Sequence, residues 1–143
     1  MKIFLDTNIL VDFLTDRGAF TKHATEIFLL GTDKILLYSS THAFATTYYI
    51  LKKYSEEKEL RSKLLELTEL VEVIDVTKAQ LKKALLSDFS DFEDALQIFN
   101  AESTGGMDYI VTRNLRDFKK SPIPAIAPDE MVEMVEMIKR LKK

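Results

Sequence analysis

The stretch Met1–Phe13, MKIFLDTNILVDF, decides how the rest of the chain is interpreted. Its apolar run Ile3–Leu5 is too short for a buried helix and is typical of a central strand. Asp6 ends this run, and the apolar residues after it recur at helical spacing. The sequence therefore predicts a carboxylate where a buried strand turns into a helix, which is where ligands bind in open α/β sheets. The alternative is that Asp6 only caps the helix, since Asp is a favoured N-cap.

The composition indicates a single domain over residues 1–143. The chain has 143 residues, 46% hydrophobic and 30% charged, and no cysteine, which suits one core without disulfides or thiolate zinc sites. No apolar run reaches 18 residues, and the first strand leaves no room for a signal peptide, so we expect a cytoplasmic protein with no membrane segment. The formal net charge of -3 argues against broad DNA coating but allows a nucleic acid bound by a local basic patch.

Short apolar runs alternate with amphipathic segments along the chain. Beyond the first strand and helix, the pattern predicts strands at 34–38, 71–76, 108–112 and 125–127. It predicts helices at 20–30, 41–54, 56–70, 77–86 and 90–103, and a last one capped by Asp129. Capping boxes begin two of these helices, Thr77 with Gln80 and Ser90 with Glu93. The alternation predicts a central, mostly parallel sheet flanked by helices, a three-layer α/β/α domain.

Acidic and amide side chains stand at several strand ends and helix starts. They are Asp6, the pair Asp91 and Asp94, and Asn114 in the loop after the strand DYIVT. If Ser90 is the N-cap, Asp91 and Asp94 lie on one face of a helix. Carboxylates that meet raise each other's pKa, and a divalent cation offsets the repulsion. Oxygen ligands with open water positions suit Mg²⁺ or Mn²⁺, and the matching chemistry is phosphodiester hydrolysis. The alternative is that Asp91 and Asp94 only favour a helix start.

Two further features have both a structural and a functional interpretation. Arg113 and Arg116 follow DYIVT beside the predicted site, so we expect them to contact RNA phosphates, although either can be a solvated charge. The helical stripe Phe44, Tyr48 and Leu51 is typical of a buried face, and a dimer contact is the alternative. The Met-rich last helix is a second candidate dimer surface.

Three motifs in order, FLDTNILVDFL, SDFEDALQ and DYIVTRNLRDF, resemble those of PIN domains. More narrowly, the chain is similar to the small ribonuclease toxins of prokaryotic toxin–antitoxin pairs. The resemblance implies a PIN-like α/β/α fold with acidic residues gathered at the carboxyl end of the sheet around Mg²⁺ or Mn²⁺. It implies Asp6 and Asp94 as catalytic acids and metal ligands, with Asp91 as a nearby third. It also implies an antitoxin protein partner and a homodimer.

This sequence departs from the family pattern at two places. The helix that usually carries a Glu has Thr46 at that position, or Thr47 if the alignment slips by one residue. The last motif often reads T-x-D, and here Asn114 stands at its acidic position. Asn can ligate a metal through its carbonyl oxygen without adding charge.

Three hypotheses follow from the sequence. The first is a metal-dependent ribonuclease that hydrolyses phosphodiester bonds of single-stranded RNA, the toxin of a toxin–antitoxin pair. The second is an RNA-binding PIN protein with weakened catalysis, which the uncharged Thr46 and Asn114 favour. The third is a phosphoryl-transfer α/β domain, either a haloacid-dehalogenase-like phosphatase or a response-regulator receiver. The third is disfavoured because a single acid ends the first strand and Asn8 stands where the phosphatase has a second Asp.

Overall fold

Strands and helices alternate along residues 1–142, the part of the chain that the computed structural model describes. The strands are β1 Lys2–Leu5, β2 Leu36–Ser40, β3 Glu72–Ile74, β4 Tyr109–Val111 and β5 Ala125–Ile126. The helices are α1 Thr7–Leu14, α2 Ala19–Leu29, α3 Thr41–Leu51, α4 Glu57–Leu70, α5 Lys78–Leu86, α6 Phe92–Glu102 and α7 Pro128–Leu141, with a 3₁₀ turn at Leu115–Phe118. The predicted α/β alternation is confirmed.

The five strands form one parallel sheet in the order β3-β2-β1-β4-β5. As predicted, β1 is the central strand, and β3 and β5 lie at the edges. Leu5 pairs with Val111 at the end of β1. Asp6 and Thr112 therefore leave the sheet side by side, at the edge where open α/β sheets bind ligands.

Successive residues of β1 pack against opposite helical layers, because side chains alternate across a strand. Ile3 and Leu5 are fully buried among residues of α1, α2 and α7. Phe4 is fully buried on the other face against Ile98 of α6. Full burial of one such side chain stabilises the fold by roughly 1.5–3 kcal/mol. This double-sided core confirms the three-layer architecture and fixes the point at which Asp6 leaves the sheet.

Several element boundaries differ from the sequence prediction; α3, for example, ends at Leu51 and not at residue 54. The N-cap of α6 is Asp91, whose Oδ1 accepts a hydrogen bond from the Asp94 amide at 2.9 Å, and not Ser90. Helix α7 begins at Pro128 with Ala127 as its N-cap, so Asp129 lies inside the first turn; Pro is favoured at the first helical position because its φ is preset. Strand β2 covers 36–40 and not 34–38.

Helix α3 turns its apolar stripe inward. Leu51 is buried, and Tyr48 and Leu64 pack around it with Leu60. Phe44 packs against the main core. The structural interpretation of the stripe is therefore correct. No helix within residues 1–142 has the length and apolar character needed to span a membrane.

Candidate functional site

A pocket of about 250 Å³ opens at the carboxyl end of β1. Its charged and polar lining comes from α1, α3, α6 and the connecting segments beside them: Asp6, Thr7, Asn8, Arg17, Thr46, Glu93, Asp94, Gln97 and Asn114. Of the predicted site residues, the structure brings Asp6, Asp94 and Asn114 to this pocket. Asp91, Arg113 and Arg116 lie outside its lining.

The Asp6 carboxylate is buried and fully hydrogen-bonded by uncharged groups. Oδ1 accepts hydrogen bonds from the Thr7 amide at 2.7 Å and from Gln97 Nε2 at 2.6 Å. Oδ2 accepts from Thr112 Oγ1 at 2.7 Å and from Asn8 Nδ2 at 3.1 Å. Asp6 is also the N-cap of α1, as the capping interpretation predicts, and it lines the pocket at the end of the strand. Four donors fix the carboxylate without supplying any positive charge.

The two pocket aspartates have raised pKa values. Burial raises the pKa of Asp6, and its hydrogen bonds from Thr112, Gln97 and Thr7 oppose the shift only in part. Burial also raises the pKa of Asp94 from 3.8 to about 8, with the charges of Asp6, Asp91 and Asp117 adding to the shift. Perturbed pKa values of this kind cluster at functional sites because a site holds charge that its own residues do not neutralise.

Asp91 and Asp117 act on the pocket from its edge. Asp91 caps α6 through the Asp94 amide, and its charge still raises the pKa of both Asp6 and Asp94. Asp117 hydrogen-bonds with the Asp94 carboxyl and further raises its pKa. Asn114 Nδ2 donates to Asp117 Oδ2. The loop after β4 thus adds an acid, Asp117, that the sequence analysis did not select.

The arginines are arranged differently from the sequence prediction. Arg113 donates to both oxygens of Asp12, from Nε at 2.6 Å and from Nη2 at 3.2 Å, and stacks on the Phe20 ring at 4.1 Å. Its guanidinium is therefore largely engaged within the protein. Arg116 is exposed on the 3₁₀ turn. Arg17, which is not among the predicted site residues, lines the pocket and lies 3.7 Å from Asp12.

Helix α3 presents an uncharged residue to the pocket. Thr46 lines it, whereas Thr47 is fully buried and donates to the Ala43 carbonyl. Thr46 is therefore the α3 residue that faces the acids. Thr46 Oγ1 lies 3.3 Å from His42 Nε2, and His42 lies 3.4 Å from Glu93 Oε1. Glu93 thus brings a second α6 carboxylate to the pocket wall.

The donor set of the pocket fits a hard divalent cation. Within residues 1–142, no three His, Cys, Asp or Glu side chains lie close enough together to hold a metal by themselves. Mg²⁺, however, is usually held by one or two carboxylates, with waters and substrate phosphates completing its shell. Asp6 and Asp94 supply that number. Gln97 Oε1 is buried beside them without a hydrogen-bond partner, which leaves an unused oxygen acceptor at the same place.

Sequence reasoning missed Arg17, Asp117 and Gln97 for different reasons. Arg17 follows a turn signal, and nothing local indicates that the turn folds over the pocket. Asp117 lies three residues beyond Asn114, and this spacing to a predicted site residue was the available signal. Gln97 stands at i+3 from Asp94, and residues at that spacing share a helix face.

Comparisons with known proteins agree with this fold. A family model described as PIN domain matches residues 2–116. A toxin–antitoxin complex from Klebsiella pneumoniae superposes with a TM-score of 0.65 at 21% identity, over 88% of this chain and 97% of that chain.

Two further solved structures have the same fold. DNA-bound VapBC from Salmonella typhimurium superposes with a TM-score of 0.68 at 20% identity, over 90% of this chain and 98% of that one. The sarcin-ricin loop cleaving toxin VapC20 of Mycobacterium tuberculosis superposes with a TM-score of 0.61 at 19% identity, over 76% of this chain and 86% of that one. No curated protein matches the sequence.

Proposed function

The chain belongs to the PIN-domain family, and we propose that it is a Mg²⁺- or Mn²⁺-dependent ribonuclease that hydrolyses phosphodiester bonds of single-stranded RNA. The observation that carries the proposal is the pair Asp6 and Asp94, which face one pocket with raised pKa values. Two carboxylates destabilised by burial and by each other favour the binding of a cation, because a cation compensates both effects.

Each residue of the pocket has a distinct task in the proposed reaction. Asp6 and Asp94 would hold the metal, with the Asn114 oxygen as a further uncharged ligand and Asp91 tuning the charge from the end of α6. A divalent ion bound there supplies an activated water and neutralises charge on the phosphate. Asp94 has to release its proton for this role, since its pKa of about 8 keeps it largely protonated near neutral pH.

The RNA backbone would be held by arginines at the pocket. Arg17 lines it, and Arg116 is exposed on the neighbouring turn. Arg113 has its guanidinium paired with Asp12, so its contribution is to hold the loop that carries Asn114. Phosphate contacts of this kind position the strand without reading its sequence.

The decisive experiment is cleavage of a mixed single-stranded RNA pool with Mg²⁺, with Mn²⁺ and with EDTA. Wild type should cleave with either metal and stop in EDTA. Asp94→Asn should lose at least about 100-fold in rate, because a ligand is lost together with the metal. Asp129→Asn, a matched change at an exposed acid on α7, should cleave like wild type. Cleavage that survives EDTA, or full activity in Asp94→Asn, contradicts the proposal.

A catalytically weakened RNA-binding protein is the second candidate. The observation that favours it is that Thr46 and Asn114, both uncharged, occupy pocket positions where an acid would strengthen metal binding. RNA binding without cleavage under any metal condition would support this candidate over the nuclease.

We also propose that the protein acts in the cytoplasm as a toxin, with an antitoxin partner and as a homodimer. Similar folds occur in toxin–antitoxin complexes, which supports the toxin role and the antitoxin partner. For the dimer, the Phe44 stripe packs against the core, whereas the predicted α7 surface keeps Met137 and Leu141 exposed although Met131 is fully buried. Leu81, Leu85 and Phe92 on α5 and α6 are exposed. Light scattering should give a dimer mass for wild type and a monomer mass for Leu85→Lys.

A further inference from the structure

Two buried amide side chains on α6 each have an oxygen with no hydrogen-bond partner. They are Gln97, 2% exposed, and Asn100, 0% exposed. A buried acceptor without a partner destabilises the folded state, because the group has lost its hydrogen bonds to water. Each such group in a folded protein therefore needs a structural or functional explanation.

The two amides differ in what surrounds them. Asn100 Nδ2 donates to Gln80 Oε1 at 2.9 Å and to the Asp75 carbonyl at 3.2 Å. It ties α6 to α5 and to the segment after β3, outside the lining of the acidic pocket. Gln97 lines that pocket, and its Nε2 donates to Asp6 Oδ1 at 2.6 Å. The unpartnered oxygen of Asn100 therefore belongs to a side chain that holds three segments together, and that of Gln97 belongs to a side chain beside the acids.

The orientation of the Gln97 amide is set by Asp6. An ionised carboxylate only accepts hydrogen bonds, so the NH₂ group of Gln97 has to face it and Oε1 has to face the other way. Rotating the amide would place two oxygens 2.6 Å apart, the present distance from Nε2 to Asp6 Oδ1. The free acceptor is thus a fixed consequence of the contact that holds Asp6.

A hydrated cation is the donor that this acceptor lacks. Mg²⁺ keeps several of its waters when protein carboxylates bind it, and each of these waters donates hydrogen bonds. The oxygens of Asp6 already accept four hydrogen bonds and would in addition face the cation itself, so they offer little capacity for its waters. Gln97 Oε1, buried at the pocket wall and unused, has that capacity.

We propose that Gln97 is a positioning residue of the metal site: its nitrogen holds Asp6, and its carbonyl oxygen accepts a hydrogen bond from the hydrated cation. This inference rests on the proposed function, because it assumes that Asp6 and Asp94 bind a divalent ion. It adds to that proposal a residue whose side chain acts on both the protein ligand and the hydration shell. Outer partners of this kind typically change metal affinity 10–100-fold.

The test is calorimetric titration with Mn²⁺ alone, together with thermal melts in EDTA. Gln97→Met keeps the shape of the side chain and removes both polar atoms, so Mn²⁺ affinity should fall at least about tenfold. Asn100→Leu is the matched control, because it alters a buried amide on the same helix with the same kind of unpartnered oxygen. It should lower the melting temperature and leave Mn²⁺ affinity unchanged. Equal Mn²⁺ affinity in Gln97→Met and wild type overturns the inference.

A third variant separates the two contacts of Gln97. Gln97→Glu keeps an oxygen acceptor at this position and in its ionised form cannot donate to Asp6, so its Mn²⁺ affinity should exceed that of Gln97→Met. If both variants are equally weak, only the hydrogen bond to Asp6 matters and the role of the carbonyl oxygen is refuted. Asp94→Asn identifies failure of the proposed function itself. Equal Mn²⁺ binding by wild type and Asp94→Asn, or no binding by wild type, overturns the metal site and this inference with it.

Discussion

Helix α1 has a buried carboxylate at each end, and the two have opposite surroundings. Asp12 is 1% exposed and Asp6 is 5% exposed. Asp12 receives a bidentate contact from Arg113 and a second cation, Arg17, at 3.7 Å. Asp6 receives only uncharged donors and lies near another acid, Asp94, whose pKa its charge raises. One carboxylate is neutralised within the chain, and the other keeps a charge that a ligand can neutralise.

This difference distinguishes a structural acid from a functional one where burial does not. Both carboxylates are removed from water, and both are satisfied in hydrogen bonds. A buried ion pair is complete without a ligand, and breaking it is costly because one charge is left alone. A buried acid with a raised pKa beside a second acid is complete only when a proton or a cation is present. The comparison therefore predicts opposite responses to the same substitution.

The largest expected effect is on stability. Asp12→Asn leaves Arg113 without its counter-ion and should lower the free energy of unfolding by about 3 kcal/mol. Asp6→Asn removes a buried charge that has no cation partner but sets an NH₂ group against two of the four donors, so in EDTA its free energy of unfolding should fall by about 1–2 kcal/mol, less than in Asp12→Asn. Urea denaturation of the three proteins measures both changes.

The two variants should also separate in metal binding. Asp6→Asn should lose the stabilisation that Mn²⁺ gives wild type, whereas Asp12→Asn should keep it, since its change lies outside the acidic pocket. Equal destabilisation by the two substitutions in EDTA would contradict the distinction between these acids.

The second effect is a pH dependence of stability that arises from the aspartates of the acidic pocket. The pKa of Asp94 is raised from 3.8 to about 8, so between these values the folded protein binds a proton that the unfolded chain has released. Stability in EDTA should therefore fall as pH rises across that window and level off above about 8. The raised pKa of the Asp6 carboxyl acts in the same direction. Urea denaturation from pH 5 to 8.5 measures the slope.

Two comparisons assign this slope to the pocket. Asp94→Asn cannot titrate, so its stability should fall less with pH than that of wild type. Saturating Mg²⁺ should also flatten the wild-type curve, because a bound cation favours the ionised carboxylates. A wild-type slope that neither change reduces would place the titrating group elsewhere in the protein.

Local signals predicted the frame of the fold and failed where two signals compete. The apolar run Ile3–Leu5 and the Thr77 capping box lie where the sequence placed them. At the start of α6, Ser90 and Asp91 are adjacent and both are good caps, and the choice depends on where the helix packs. At α7, Pro128 outweighs Asp129 because it presets the first helical φ. Boundaries of this kind are set by tertiary packing and by residue order together.

The candidate site divides in the same way. Asp6, Asp94 and Asn114 could be selected because each stands at a strand exit or a helix start. The pairing of Asp12 with Arg113 could not, since the two residues are 101 positions apart and no local pattern links them. The contact of Gln97 with Asp6 spans 91 positions and depends on how α6 docks on the sheet. The two buried acids differ in whether a cation of the protein neutralises them, and this difference can therefore be found only from the folded structure.

The smallest expected effect sharpens the comparison by adding charge at the functional end. Asn114 lines the pocket and donates to Asp117. Asn114→Asp replaces that donor with a carboxylate near Asp117 and Asp94, so in EDTA the melting temperature should drop slightly, since like charges meet. With Mn²⁺ present, the same substitution should raise the melting temperature relative to wild type. The added charge should raise Mn²⁺ affinity and any measured ribonuclease rate several-fold, on the order of 1 kcal/mol.

Thr46→Glu should act in the same direction as Asn114→Asp, because Thr46 faces the same pocket. Thr47→Glu is its matched control: Thr47 is fully buried and hydrogen-bonded to Ala43, so a carboxylate there should destabilise the protein without strengthening Mn²⁺ binding. Calorimetry and cleavage assays on the three variants compare charge inside the pocket with charge beside it. If Asn114→Asp and Thr46→Glu both leave Mn²⁺ affinity unchanged, the uncompensated charge of Asp6 and Asp94 is not what binds the cation.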